Sequence, residues 1–215
     1  MNLFEDYHVH SNYNDHSAND LTIQNVVKRA QTLNLVTLAF TEHVRLSSNW
    51  IERYLQEINT IRQKTSIKVI AGFEAKILAD GSIDCPDYYA KNYFIVASFH
   101  TNYYKKGIWL NALRKAIENP TVDVIGHIAP EPTFNIEERE IEQLGALLAK
   151  HNKVVEINAK YRLPPLNWIN PLIDGGVKMH LGSDAHSLNE VGQFSSILDL
   201  VSVARTKEVQ RDREM

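Results

Sequence analysis

The chain has 215 residues, enough for one domain with a full core and too short for two ordinary ones. Its 44% hydrophobic and 23% charged content is that of a soluble globular protein, and no apolar run approaches the ~20 residues of a membrane span. A net charge of −3 lacks the basic excess that nonspecific nucleic-acid binding uses.

Met1 to Asp6 carries neither a basic stretch nor an apolar one of signal-peptide type, so a cytoplasmic location is expected. Seven short apolar, β-branched runs then follow. They are Asp6 to Val9, Val36 to Phe40, Lys68 to Phe73, Tyr93 to Phe99, Val122 to Ile125, Val154 to Ile157 and Val177 to Leu181. Runs of this length suit strands buried on both faces, as in parallel sheets.

Helix-period stripes lie between the runs. Val26, Ala30 and Leu33 form the first. Ile51, Leu55, Ile58 and Ile61 form the second, with Ser47 or Ser48 as the capping residue. Leu110, Leu113 and Ile117 form the third. Ile141, Leu144 and Leu148 form the fourth, behind an acidic first turn of Glu137 and Glu138 that suits the helix dipole. Ile197, Leu198, Val201 and Ala204 form the last. Each stripe reads as core packing. The charged tail, Arg205 to Met215, reads as a helix end that frays or finishes in solvent. The single cysteine, Cys85, rules out an intramolecular disulfide and reads as an ordinary loop residue.

Strands alternating with helices predict an α/β protein. A seven-stranded barrel and an open doubly wound sheet both fit. No strand is followed by the glycine fingerprint of the open nucleotide-binding folds, which favours the barrel.

The positions of the nine histidines carry most information about chemistry. His8 and His10 end the first run, and His16 follows in the loop. Glu42 and His43 follow the second run, and Glu74 the third. His100 ends the fourth, and His127 follows the fifth. Asp184 and His186 follow the seventh. Six of the seven runs thus deliver a His, Asp or Glu to their C-terminal end, where β/α folds bind ligands. In His8-Val9-His10, strand alternation puts both imidazoles on one side and Val9 on the other. Imidazole and carboxylate are ligands that zinc, manganese and iron accept. Seven histidines (8, 10, 16, 43, 100, 127 and 186) and two carboxylates (Glu74 and Asp184) exceed the needs of one ion, so two or three are expected. His151, at a helix end, and His180, inside the last run, are left out as a surface and a buried neutral histidine.

These residues resemble the motifs of the polymerase and histidinol phosphatase (PHP) family. The matching segments are Asp6-Tyr7-His8-Val9-His10-Ser11, Thr41-Glu42-His43, Gly72-Phe73-Glu74, Ser98-Phe99-His100, Gly126-His127 and Gly182-Ser183-Asp184-Ala185-His186. The likeness runs from about residue 6 to residue 190. It implies a distorted seven-stranded, TIM-like (β/α)7 barrel of parallel strands, with residues 1–215 as a single domain of that type. It also implies three metals. His8, His10, Glu74 and Asp184 would hold one, and Glu74 would bridge to a second with His100 and His127. His16, His43 and His186 would hold the third, with His16 preferred over its neighbour Asp15. The chain's length places it with the small, freestanding members.

The function implied is hydrolysis of a small phosphomonoester, such as histidinol phosphate, a sugar phosphate or a nucleotide, by a metal-bound hydroxide. His8, His10, Glu74, His127 and Asp184 would form the catalytic set. Arg162 is the first choice for a phosphate clamp, with Lys160 and Arg45 beside it and Lys76 in reserve. Asn158 would support a ligand carboxylate or a water. Two other functions compete. A nuclease or phosphodiesterase has a short patch in its favour, Tyr103-Tyr104-Lys105-Lys106, against the acidic net charge. A metal-stabilised module without turnover sits poorly with a complete ligand set. No membrane partner is expected, and oligomeric state is left open.

Overall fold

Main-chain pairing in the computed structural model, which describes residues 1–130 and 134–214, runs through seven parallel strands in strict chain order. They are β1 (Glu5–Val9), β2 (Thr37–Val44), β3 (Lys68–Lys76), β4 (Phe94–Ser98), β5 (Val124–Ile125), β6 (Val154–Asn158) and β7 (Lys178–Gly182). Helices cover the outside of the sheet: α1 (Ile23–Thr32), α2 (Ile51–Arg62), α3 (Asp87–Asn92), α4 (Lys106–Glu118), α5 (Glu138–Lys150), α6 (Leu166–Asp174) and α7 (Leu198–Glu214). The apolar stripes of the sequence supply the buried faces, with Val26 and Ala30 on α1, Leu113 and Ile117 on α4, and Ile141, Leu144 and Leu148 on α5. No helix is long and apolar enough to cross a membrane among the described residues.

The sheet curls until its edges meet, giving the expected distorted TIM-like barrel of parallel strands. Among the described residues, main-chain closure is confined to the C-terminal end of β1. Val9 bridges Ala185, the His10 amide donates to the Ala185 carbonyl at 3.1 Å, and the Asp184 amide donates to the His8 carbonyl at 2.7 Å. Below that, a side chain replaces the missing ladder. Asp6, fully buried, accepts from the Ser183 amide at 2.9 Å and the Gly192 amide at 2.9 Å. A bulge between Asp6 and Val9 shifts the β1–β2 register.

Several elements depart from the sequence reading. β2 and β3 run four and three residues past the expected ends at Phe40 and Phe73, because their pairing continues through His43↔Glu74 and Val44↔Ala75. Glu42, His43 and Glu74 therefore stand on strands rather than after them. Their polarity disguised strand as loop. Trp50, not a serine, caps α2, and the Ser48 hydroxyl instead accepts from the Arg45 amide at 3.0 Å. Helix α6 was missed because Pro171 sits inside it, and α3 because it spans only six residues. Of the two outcomes expected for the C-terminal tail, fraying or a helix that finishes in solvent, the tail takes the second. It continues α7 to Glu214, tied by Arg205 to the Met1 carbonyl, Lys207 to Asp174 and Arg211 to the Ile173 carbonyl.

Candidate metal centre

His8 and His10 enter the barrel from the end of β1. Their Nε2 atoms approach to 3.2 Å, while Val9 between them packs into the core. Each ring is oriented from behind by a buried carboxylate. Glu156, on β6, lies 2.7 Å from His8 Nδ1, and Glu42, on β2, lies 3.3 Å from His10 Nδ1. A carboxylate on Nδ1 fixes that nitrogen as a donor and turns Nε2 toward the cluster. Glu42 also accepts from the Ser11 amide and from Asn14. Glu156 also accepts from the His127 amide at 2.9 Å and from Asn158. Glycines at the ends of the flanking strands admit Glu156. A Cβ on Gly182 would overlap its carboxylate, and one on Gly126 would press on it.

Glu74 is the hub. One oxygen, Oε1, lies 3.1 Å from His100 Nε2 and 2.9 Å from His127 Nε2. The other, Oε2, lies 2.8 Å from His43 Nδ1 and 3.5 Å from Nε2 of both His8 and His10. Asp184 closes the ring, 3.4 Å from His10 Nε2 and from His186 Nδ1. Its second oxygen accepts from Asn158 at 3.1 Å. Asp184 and His127 both take left-handed backbone conformations, with φ of 54° and 28°, which bonds from their amides to the His8 carbonyl and to Glu156 hold in place.

Among the described residues, three sets place their ligand atoms within 4.8 Å of one another: His8, His10 and Asp184; His43, Glu74 and His100; His10, His43 and His186. His127 joins through Glu74. Beside the grouping the resemblance implied, in which Glu74 joins His100 and His127, His43 also reaches Glu74, and His10 stands with His43 and His186 where His16 was implied. His16 stands at the rim, 69% exposed, beside Asp15 and 6.5 Å from His43 ring to ring. His180 lies below the cluster, stacked on Tyr7 at 4.6 Å, and His151 caps α5.

Two observations fit this centre to cations. Four carboxylates, Glu42, Glu74, Glu156 and Asp184, are buried in one small volume, a concentration of negative charge that needs positive partners. Glu74 Oε2 is buried and receives no hydrogen bond, although three imidazole nitrogens converge on it. In this structure the histidines themselves compensate the charge. Burial opposes a proton on His8, but Glu156, Glu74 and Asp184 outweigh it and hold the imidazole well above its ordinary value. His10 is likewise raised to about 9 against its burial, by Asp184 and Glu42. Burial works against the Glu74 charge, yet His100, His8 and His43 bring its carboxyl well below the usual range. His186 is pushed down to about 4 by burial and by His10, and His43 is lowered chiefly by burial. Both shifts favour the neutral form, in which imidazole binds a metal.

The proposed clamp residues separate. Lys160 reaches the centre, its Nζ 2.9 Å from His186 Nδ1 and 3.4 Å from Asp184 Oδ1. Arg45 and Lys76 line an adjoining cavity with His43, Glu74 and His100. Arg162 turns away: its guanidinium pairs with Asp199 at 2.9 Å, and its side chain is 51% exposed. Its left-handed backbone, φ 54°, accompanies that change of direction. Sequence reading missed Glu156 and left Glu42 without a task. A charge inside the apolar run Val154 to Ile157 was the available signal for Glu156.

The fold and cluster together define an α/β barrel with His, Asp and Glu side chains that could hold metal gathered at the C-terminal mouth of its strands. A family model described as the PHP domain matches residues 6–160, and the chain belongs to that family. It is 28% identical over 217 residues to a probable phosphatase of Caldanaerobacter subterraneus subsp. tengcongensis, covering 94% of this chain and 83% of the relative. It is 26% identical over 225 residues to a probable phosphatase of Clostridium acetobutylicum, covering 97% and 90%. The crystal structure of the putative histidinol phosphatase HisK of Listeria monocytogenes shares the fold, with a TM-score of 0.71 at 17% identity over 88% of this chain and 97% of that one.

Proposed function

We propose that the protein is a phosphoesterase that hydrolyses a small phosphomonoester with two or three divalent cations, of zinc, manganese or iron type, held by His8, His10, His43, Glu74, His100, His127, Asp184 and His186. The convergence of these groups on Glu74 carries the reading. Names of relatives sharing almost the full length of the chain point the same way. Divalent cations at such a centre lower the pKa of water toward neutrality and offset the charge of phosphoryl oxygens.

The chain's own residues do the rest. Lys160 presents an ammonium group beside Asp184 and His186, where it can bind a phosphoryl oxygen. Asn158 keeps the Asp184 carboxylate in one orientation. Glu42 and Glu156 fix the His10 and His8 rings, so the cluster needs little rearrangement to act. The Tyr103 to Lys106 patch gives little to a nuclease. Lys106 is paired with Glu140 at 2.6 Å, and Tyr103 is half-buried with its hydroxyl directed to the Ile77 carbonyl.

Metal analysis after reconstitution, with assays of 4-nitrophenyl phosphate and bis(4-nitrophenyl) phosphate, tests the proposal. The expected result is two to three ions per chain and turnover of the monoester. Turnover of the diester alone would transfer the assignment to a phosphodiesterase. Absence of bound metal would remove the centre.

A further inference from the structure

Two cavities flank the cluster, and they differ in chemistry. One, of about 470 Å3, carries charge, with Arg45, Lys76, Asp15 and His16 in its lining beside Tyr13 and Trp50. The other, of about 450 Å3, is walled by Phe99, Tyr103, Trp109, Tyr161 and Leu163, and no Lys, Arg, Asp or Glu side chain lines it among the described residues. His100 and His127 line this aromatic lobe as well, so it opens directly from the ligand set. Its rings are inclined to one another. Phe99 meets Tyr103 at 5.5 Å and 76°, and Tyr161 meets His127 at 5.2 Å and 57°.

We propose that the aromatic lobe receives the leaving group of the substrate, and that this group is an alcohol bearing a flat, mainly apolar ring. The inference rests on the phosphomonoesterase reading. A phosphomonoester has a doubly charged end and an alcohol end. The charged end belongs with the cations and Lys160, and the alcohol must then occupy an adjoining cavity. In hydrolysis, water adds to phosphorus, the ester P–O bond breaks, and the alcohol oxygen leaves with a proton.

Chemistry separates the lobes as hosts for that alcohol. A polyol in the aromatic lobe would lose water from several hydroxyls, with Thr101 and Asn102 the only non-aromatic polar side chains among the described residues there to replace it. A planar ring loses no such bonds, and inclined aromatic walls can pack on its face and edge. The charged lobe, with Asn14, Asp15, Arg45, Ser48 and Lys76, offers a polyol the partners that the aromatic lobe lacks among the described residues. The structure therefore selects against sugar phosphates and for ring-bearing alcohols.

Calorimetric binding of non-hydrolysable phosphonates to the manganese-loaded protein tests this without turnover. 2-Phenylethylphosphonate is compared with 2-hydroxyethylphosphonate. The aromatic ligand should bind at least about tenfold tighter. Ala129→Phe, which fills the lobe, should erase that advantage and leave the hydroxyethyl ligand within about twofold. Tyr103→Ala, which removes one wall, should lower only the aromatic affinity, by threefold or more. Equal wild-type affinities, or an advantage surviving both substitutions, would overturn the inference. Selective aromatic binding without hydrolysis of 2-phenylethyl phosphate would support the lobe and overturn the phosphoesterase reading alone. Binding of neither phosphonate would overturn both.

Discussion

Asp6 and Ser183 stand on opposite sides of the barrel seam, and the Ser183 amide donates to the Asp6 carboxylate at 2.9 Å. The same oxygen accepts from the His8 amide at 3.3 Å, and the other from the Gly192 amide at 2.9 Å. One buried side chain thus binds the strand that carries His8 and His10 to the turn that carries Asp184. Asp6→Ala would leave buried amides without acceptors, at a cost of about 3 kcal/mol. Urea denaturation should show that loss, and the variant should retain less metal. Asp6→Asn keeps one acceptor oxygen and should fall between. An Ala variant as stable as the wild type would show that the seam closes without this side chain.

Below the centre, His180 is packed against Tyr7 and its Nε2 is buried without a hydrogen-bond partner. Burial pushes its pKa down to about 4. The unfolded chain takes up a proton near the ordinary value of about 6.5, before the folded chain does. Its contribution to stability is therefore complete above pH 6.5 and is lost as pH falls toward 4. Between pH 7 and pH 5 this group should cost the fold about 2 kcal/mol. His180→Phe keeps an aromatic ring on Tyr7 and removes the titration. The difference in stability between variant and wild type should therefore change with pH over that interval. A pH-independent difference would show that His180 titrates normally.

Much of this architecture was readable from spacing. Seven apolar runs gave the strand number and order, because parallel strands buried on both faces have a simple pattern. The histidines showed through because each sits at the same end of its run. What stayed hidden depends on contacts distant in sequence. The strand ends at Glu42 and Glu74 were concealed by the polarity their position demands. The direction of Arg162 was set by Asp199, on α7, and by a left-handed backbone. His16 was assigned on the family resemblance, yet the loop between β1 and α1 leaves it at the rim.

Glu156 was the least visible member, since its partners come from β1, from His127 just past β5 and from Asn158 farther along its own strand. Glu156→Gln would replace a charged acceptor at His8 Nδ1 with an amide, weakening the hold on the ring's tautomer. Carboxylates behind liganding histidines typically contribute 10- to 100-fold in metal affinity, so a drop of about that size is expected. A competition titration with a chromogenic chelator would measure it. Affinity within twofold of wild type would mean that Glu156 serves packing alone.

Lys160 and Arg162 lie two residues apart, yet only Lys160 faces the centre. Lys160→Ala should lower kcat/KM for a phosphomonoester by roughly ten- to hundredfold, the range for a charge-assisted hydrogen bond. The metal-loaded variant should keep its ions, since an ammonium group ligates none. Arg162→Ala removes only an exposed pair with Asp199 and should change kcat/KM by less than about twofold. The reverse ranking, a large loss at Arg162 and none at Lys160, would mean that substrate breaks the Asp199 pair and draws the guanidinium into the mouth. Steady-state kinetics of the two variants, with metal content measured on the same preparations, separates these outcomes.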